Sequence, residues 1–479
     1  MNKRLILVLA LVFALGLTYG AYAEVQNVKV SGDLTIKGVS RNNLDLDKTR
    51  SGGTINNDEQ DSFLSIARVK VDADLTDNVS TALRLINERD WDGDNTVASQ
   101  GIDIDLAYVS MKEFLYSPLS VTLGRQELRY GNGLVIGDPD TNNVSAASTL
   151  TQSDLSLRKA FDAVKAILNY DPLVVDLIYA KIDENLITGT TANDDVDLYG
   201  INANYALDKQ TTLEGYFFSK SRGSNSAEFT AALGRTTGAA LTTQATKRDL
   251  VNTFGGRAVN TSVKNLTAQL EAAYQYGAYN PGYDINSQNA AEIGRRRAWA
   301  LQAIANYDLK DALSGLAKYS PSIMGTYTFL SGEKNTRTTK SYRGWDPMFE
   351  DQTLGHLVNR IMGYSNAQIL TFSGKVTPMD DVTLNVDYAN YWLNKRYPAG
   401  DGTAVGFNTT NLRGVTGGNT YAMTDDRYLG QELDATLTYD YTEDVQFSLL
   451  GGVFFPGKAF HDVNESRAGE LIGSMKVTF

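Results

Sequence analysis

"SFLSIARVKVDADL", residues 62–75, decides the fold. Phe63, Ala67, Val69, Val71, Ala73 and Leu75 share one parity, and Arg68, Lys70, Asp72 and Asp74 share the other. A period of two sends successive side chains to opposite faces of a strand. Strands of soluble proteins average roughly five or six residues, whereas a tilted strand needs about 9–11 to cross a bilayer. This run is of the second kind.

The pattern recurs along the chain. Val28, Val30, Leu34 and Ile36 alternate with Lys29, Ser31, Asp33 and Thr35; Leu266, Ala268, Leu270, Ala272 and Tyr274 alternate with Thr267, Gln269 and Glu271. "DVTLNVDYANYW" (381–392) and "ELDATLTYDY" (432–441) read the same way. About eighteen such runs can be counted, within a range of roughly 16–18, because each signal alone is weak. The least regular lie near 160–170, 251–260 and 322–330.

The connectors alternate as well. Short ones stand at 75–78, 116–118, 170–172, 207–210, 377–381 and 441–445; long polar ones at 41–60, 90–100, 131–159, 183–195, 221–250, 278–296, 331–364, 396–427 and 457–467. Short periplasmic turns and long outside loops are the rhythm of an outer-membrane barrel. "DLKDALSGLAKYSP" (308–321) stands where a short turn belongs and reads as a turn with one helical excursion. The fold class is therefore all-β, an antiparallel transmembrane β-barrel.

Both ends of the chain fit that reading. Residues 1–23 carry Lys3 and Arg4, an apolar run from Leu5 to Leu17 and Ala21-Tyr22-Ala23, the features of a secretory signal peptide. Cleavage after Ala23 leaves 24–479 as a single barrel domain. The terminal "GELIGSMKVTF" alternates and stops on Phe479, which resembles the sorting signal read by the barrel-assembly machinery of the bacterial outer membrane. No later segment is apolar enough for a helical span, since Asp176 interrupts even "LVVDLIYA". The chain has no cysteine, which excludes a disulfide scaffold. Its 56 Asp and Glu against 44 Lys and Arg argue against a nucleic-acid partner. A mean hydropathy of −0.27 fits a barrel whose polar half offsets its apolar half.

"GRQELRYGNGLVIGD" (124–138) packs charges onto the end of an apolar alternation. In phase with Leu119, Val121 and Leu123, residues Arg125, Glu127 and Arg129 would face lipid. A bulge at Gly124 near the rim would instead turn them into the mouth of the lumen. The passage resembles the early motif of the alginate-export family of outer-membrane barrels. "FDAV" (161–164), "GQELDATLTYDY" (430–441) and "GGVFFPGKAF" (451–460) resemble later elements of that family. The resemblance spans essentially the whole mature chain. It implies an eighteen-stranded barrel with a charged pore, and carries Arg125, Glu127, Arg129, Glu432 and Asp434 over as pore residues. Asn132 and Gly133 depart from the family pattern, where an acidic residue and an arginine are expected.

The expected lumen lining includes Arg68, Lys70, Arg84, Lys165 and Lys375, with Asp72, Asp74, Asp103, Asp105, Glu214, Glu271 and Asp387; Arg427 precedes the strand that holds Glu432. Arg84 and Arg427 are expected to join Arg125 and Arg129 in one ring. Three functions remain open within the barrel: a channel for an anionic polysaccharide or other anionic solute, working with a periplasmic export assembly; a diffusive porin for small solutes; and a structural or adhesive barrel plugged by its loops.

Other chemistry is thin. Asp90, Asp92 and Asp94 have calcium-loop spacing, but the twelfth position is Gly101 rather than glutamate. "GNGLVIG" misses the dinucleotide glycine spacing. His356 and His461, both in expected outside loops, build no nucleophile–base constellation, so no enzyme and no cofactor are expected. Arg295, Arg296 and Arg297 end a long loop at the height of lipid headgroups.

Overall fold

The computed structural model describes residues 27–47, 59–91, 101–140, 150, 152–183, 195–223, 248–279, 294–333, 341–396, 421 and 423–479. The expected signal peptide, the calcium-spaced Asp92 and Asp94, and the central parts of several outer loops lie outside them.

The strands are β1 (Asn27–Asn42), β2 (Gln60–Thr76), β3 (Val79–Asp90), β4 (Asp103–Met111), β5 (Leu119–Glu127), β6 (Ala160–Asn169), β7 (Leu173–Asp183), β8 (Val196–Ala206) and β9 (Thr211–Arg222), followed by β10 (Asp249–Asn260), β11 (Leu266–Tyr279), β12 (Gly294–Asp308) and β13 (Ser322–Leu330). After the two-residue β14 (Ser341–Tyr342) come β15 (Ala367–Met379), β16 (Val382–Leu393), β17 (Tyr428–Asp440), β18 (Val445–Pro456) and β19 (Ala468–Thr478). Each long strand pairs antiparallel with its sequence neighbours, and β1 pairs with both β2 and β19, which closes an eighteen-stranded barrel. The three weakest runs of the sequence are strands β6, β10 and β13. The short β14 extends the wall beyond β13, in parallel with Arg295 and Arg296 of β12.

The alternation read from sequence sorts the two faces. Val69, Leu83, Leu270, Phe372, Leu437 and Leu449 are exposed on the outside. Aromatic side chains ring both ends of this apolar band. Trp299 stacks on Phe329 and Phe63 on Trp91 at the long-loop end; Tyr439, Tyr441 and Phe447 cluster at the short-turn end. Such girdles mark the two membrane interfaces. Phe479 closes the short-turn end by exchanging backbone hydrogen bonds with Gly32. The connector 309–321 carries the one helical excursion expected of it, the 3-10 turn Ser314–Tyr319.

The inside is not empty. Toward the long-loop end it holds the apolar core, built from wall positions such as Phe161, Phe218, Ala300 and Tyr391 against Leu134, Ile136, Trp345, Met348, Phe349 and Ile361. The second group belongs to connectors that fold back into the barrel.

Candidate functional site: the narrowed lumen

Three inward segments shape the lumen. The first, 128–138, follows β5. Gly131 and Gly133 have φ of 54° and 74°, the left-handed region where a Cβ is strained. A Cβ on Gly131 would stand 3.2 Å from Arg257 and 3.3 Å from Glu271, so the glycine also lets the backbone lie close against the wall.

The second segment, 341–366, pairs with the first inside the barrel. Phe349 N donates to Val135 O at 3.0 Å, Gly137 N to Phe349 O at 2.7 Å, and Asp351 N to Gly133 O at 2.8 Å. It is fastened to the wall by charge. Asp346 meets Lys220 at 3.0 Å and Arg296 at 3.6 Å, and Arg296 also meets Asp249 at 2.7 Å. Burial alone would raise the Asp346 carboxyl, but the Lys220, Arg296 and Arg222 cations hold it well below the usual carboxylate range. Gln275 clasps the Asp346 backbone from both sides, at 2.7 and 2.8 Å. Further on, Leu357 N and Val358 N at the start of a one-turn helix (Val358–Ile361) donate to Glu432 at 2.7 and 2.8 Å.

The third segment, 152–158, sits on the β1–β3 side. Asp154 receives a forked pair of bonds from Arg41 at 2.7 and 3.1 Å and lies 3.3 Å from Arg360. Burial acts to raise Asp154, yet these guanidiniums hold it below its ordinary value.

Between the second segment and strands β12–β17 there remains a cavity of about 450 Å³. Amide and hydroxyl groups of Asn132, Gln302, Thr326, Gln352, Thr371 and Ser373 line it, together with Arg129, His356, Asp351, Asp387 and Asp434. Arg129 and Lys159 both close on Asp351, so that cluster of two cations and one carboxylate keeps a single net positive charge. Asp387 and Asp434 have no lysine or arginine partner among the described residues. One Asp434 oxygen is buried with no hydrogen-bond donor among the described residues.

The sequence-derived site residues scatter over several settings. Arg68 pairs with Asp33 at 2.8 Å and Lys70 with Asp72 at 2.9 Å, both on the lumen parity of β2. Arg84 bonds Asp105 at 2.5 Å and also reaches Glu127. Arg125 differs from the inward turn expected at Gly124. That glycine does have a φ of 120°, but the register continues Leu123↔Val164 into Arg125↔Asp162, and Val164 is exposed on the outer face. Arg125 therefore stays in phase on the outside and forms a forked pair with Asp162 at 2.8 and 2.9 Å. The register change appears elsewhere: the bulges between Arg84 and Leu85 on the β3–β4 ladder and between Tyr391 and Trp392 on the β16–β17 ladder. Lys375 is exposed on β15 toward the short-turn end, and Arg427 is exposed just before β17. Neither forms an ion pair with the other cations' carboxylates among the described residues. The four arginines thus do not share one ring. Glu432 holds the inward helix, and Asp434 faces the cavity.

Sequence reasoning did not single out Lys220, Asp346, Asp351, Gln302 or Gln352. One usable signal existed. Where an inward segment packs, wall positions of the lumen parity turn apolar, as at Leu64, Ile66 and Ile86.

A closed antiparallel barrel with an apolar outer band, aromatic girdles and a narrowed polar lumen is a channel of the bacterial outer membrane. The chain belongs to the alginate-export family, whose description, Alginate export, matches residues 33–474. Among solved structures it is similar to OccK3 (OpdO) of Pseudomonas aeruginosa, with a TM-score of 0.53 and 9% identity over 95% of this chain and 97% of that one. It is similar also to OccAB1 of Acinetobacter baumannii, with a TM-score of 0.54 and 11% identity over 96% and 98%. At such identity the likeness carries the fold alone. No curated protein matches the chain.

Proposed function

We propose that this barrel is a diffusion channel for small hydrophilic solutes, and that its constriction favours neutral and positively charged solutes over anions. The observation that carries this reading is the charge balance of the cavity. Arg129 and Lys159 share Asp351 and leave one net positive charge there. Asp387 and Asp434 face the same space with no lysine or arginine partner among the described residues, which tips the balance to negative. Low-dielectric walls focus the field of such groups, so a few carboxylates set the sign of a narrow pore. Gln302, Gln352 and Asn132 offer donors and acceptors that replace part of a solute's hydration shell. No catalysis is assigned to the site.

A second reading, passage of an anionic polysaccharide with a periplasmic export assembly, is favoured by the family match. It requires the inward segments to withdraw, because a cavity of about 450 Å³ admits a sugar of one or two rings rather than an extended polyanion threading freely. In either reading, the long loops face outward, Phe479 addresses the assembly machinery, and residues 1–23 are removed on export.

Reversal potentials in a salt gradient across a planar bilayer test the proposal. The native channel should prefer cations, and Asp387→Asn with Asp434→Asn should shift the potential toward anions. Native anion preference, with current blocked by uronate oligomers, would establish the polysaccharide reading instead.

A further inference from the structure

The "RRR" of residues 295–297 is divided by the pleat. Arg296 turns inward, 3% exposed, against the stacked rings of Tyr279 and Tyr342 and onto Asp249 and Asp346. Arg295 and Arg297 are exposed and share the outward parity of Trp299, which is itself exposed. Their cross-strand partners on β11 are Ala278 and Tyr276, and Tyr276 is exposed on that same face. A third guanidinium joins them. Ser341 lies beside Arg295 and Tyr342 beside Arg296 in the parallel β14 ladder. The Tyr342 ring stacks inward on Tyr279 at 3.7 Å; Arg343, the next residue, is exposed and falls on the outward parity if the alternation is continued past β14.

The height of this triad is set by the aromatic girdle. Trp299 stacks on Phe329 at 4.2 Å, and Phe254 lies 6.3 Å from Tyr276. At about 3.4 Å per residue, Arg297 stands roughly 7 Å and Arg295 roughly 14 Å along the strand beyond Trp299. Just above an interfacial tryptophan is the headgroup zone. The three cations are also unspent: among the described residues none of them forms an ion pair. Acidic groups described near them are committed elsewhere. Asp249 and Asp346 face inward to Arg296, and buried Glu333 accepts the backbone amide of Arg343 at 2.8 Å. A chain of net charge −12 thus concentrates three free arginines on one outward strip at the long-loop rim.

We propose that Arg295, Arg297 and Arg343 bind the phosphate of a phosphorylated outer-leaflet glycolipid. Guanidinium forks match phosphate oxygens two at a time, and the Trp299, Phe329, Tyr276 and Phe254 surface directly below receives the acyl chains. The outer leaflet presents such a headgroup at this height, and the lipid chains hold it against the wall. A dissolved anion would lack that second contact. The site lies on the lipid face and is independent of what the lumen conducts.

The test uses the folded full-length barrel in detergent and native mass spectrometry, with bisphosphorylated lipid A, the same lipid without phosphates, and inorganic phosphate as probes. The native protein should retain the phosphorylated lipid. Removing the phosphates, or changing Arg295, Arg297 and Arg343 together to Gln, should weaken retention at least tenfold, while the triple change to Lys keeps an intermediate part. Heat-modifiable gel mobility verifies folding of the variants, and the dephosphorylated arm needs no variant. Equal retention of both lipids, or unchanged retention by the glutamine variant, overturns the site. Binding of inorganic phosphate as tight as that of the lipid overturns the lipid as its source.

Discussion

Along the inner face of β2, Leu64 and Ile66 are fully buried, whereas Arg68 and Lys70, further toward the short turns, are charged and partly exposed. The same strand, on the same face, meets two different environments. Near the long-loop end the lumen is a protein interior, filled by segments 128–138, 152–158 and 341–366. Near the short-turn end its wall carries ion pairs instead, Arg68 with Asp33 and Lys70 with Asp72. Pore width in this barrel is therefore set by what folds back into it, and inward apolar residues mark where.

The sharpest way to break that comparison is to exchange the two environments. Ile66→Lys places an unpaired charge beneath the inward segments and should destabilise the barrel by about 3–5 kcal/mol. Lys70→Ile, in the wet half, should change stability by less than about 1 kcal/mol. Urea unfolding in lipid vesicles measures both. Similar small losses would mean that the long-loop half is also wet.

The outer face should show no such division. Leu270 is about half exposed at mid-strand on β11, among lipid-facing residues. Leu270→Arg should cost about 2–4 kcal/mol and slow insertion. Its neighbour Gln269 faces the lumen and accepts a hydrogen bond from Arg257 at 2.8 Å. Gln269→Glu keeps that acceptor and should assemble normally. Equal damage from both changes would put the pleat out of phase.

Much of this could be read in the sequence, and the boundary has a physical cause. The lipid face is legible because hydrocarbon accepts only apolar residues there, which enforces a strict period of two. Connector length likewise follows from topology. The inward segments obey no such rule. Phe349 meets Phe161 edge-on and Met348 accepts from Thr253, both partners far away in sequence, and nothing local says that a long polar loop folds inside. The doubled apolarity of "FLSIA" (63–67) was the available clue. For the site, the charges of 124–138 were visible, but their direction depended on register: Arg125 stays outside and Arg129 goes to the cavity.

Acid probes the anchor between the two halves. Cations hold the Asp346 carboxyl below its ordinary value of 3.8, so the folded form binds fewer protons there than the unfolded form. Its stabilisation is complete above that value and is lost as pH falls below it, by up to about 1.4 kcal/mol per pH unit. Unfolding midpoints between about pH 4 and 2.5 should fall more steeply for the native chain than for Asp346→Asn. Parallel curves would show that Lys220 and Arg296 do not depend on this carboxylate to seat the inward segment.

The smallest effect expected belongs to the residue the sequence made most conspicuous. Arg125 and Asp162 form a forked pair on the outer face, with side chains 36% and 55% exposed. Exposed pairs of this kind contribute at most about 1 kcal/mol, because water and salt screen them. Arg125→Gln should therefore leave stability nearly unchanged, and it should leave the reversal potential unchanged as well, since the side chain does not face the lumen. Arg129→Gln makes the informative contrast. It removes one of the two cations that hold Asp351 at the cavity, so the net positive charge of that cluster is lost and cation preference should increase without closing the pore. If Arg125→Gln moves the reversal potential as far as Arg129→Gln does, the glycine at 124 turns the strand inward after all, and the charged rim and the narrowed lumen act as one site.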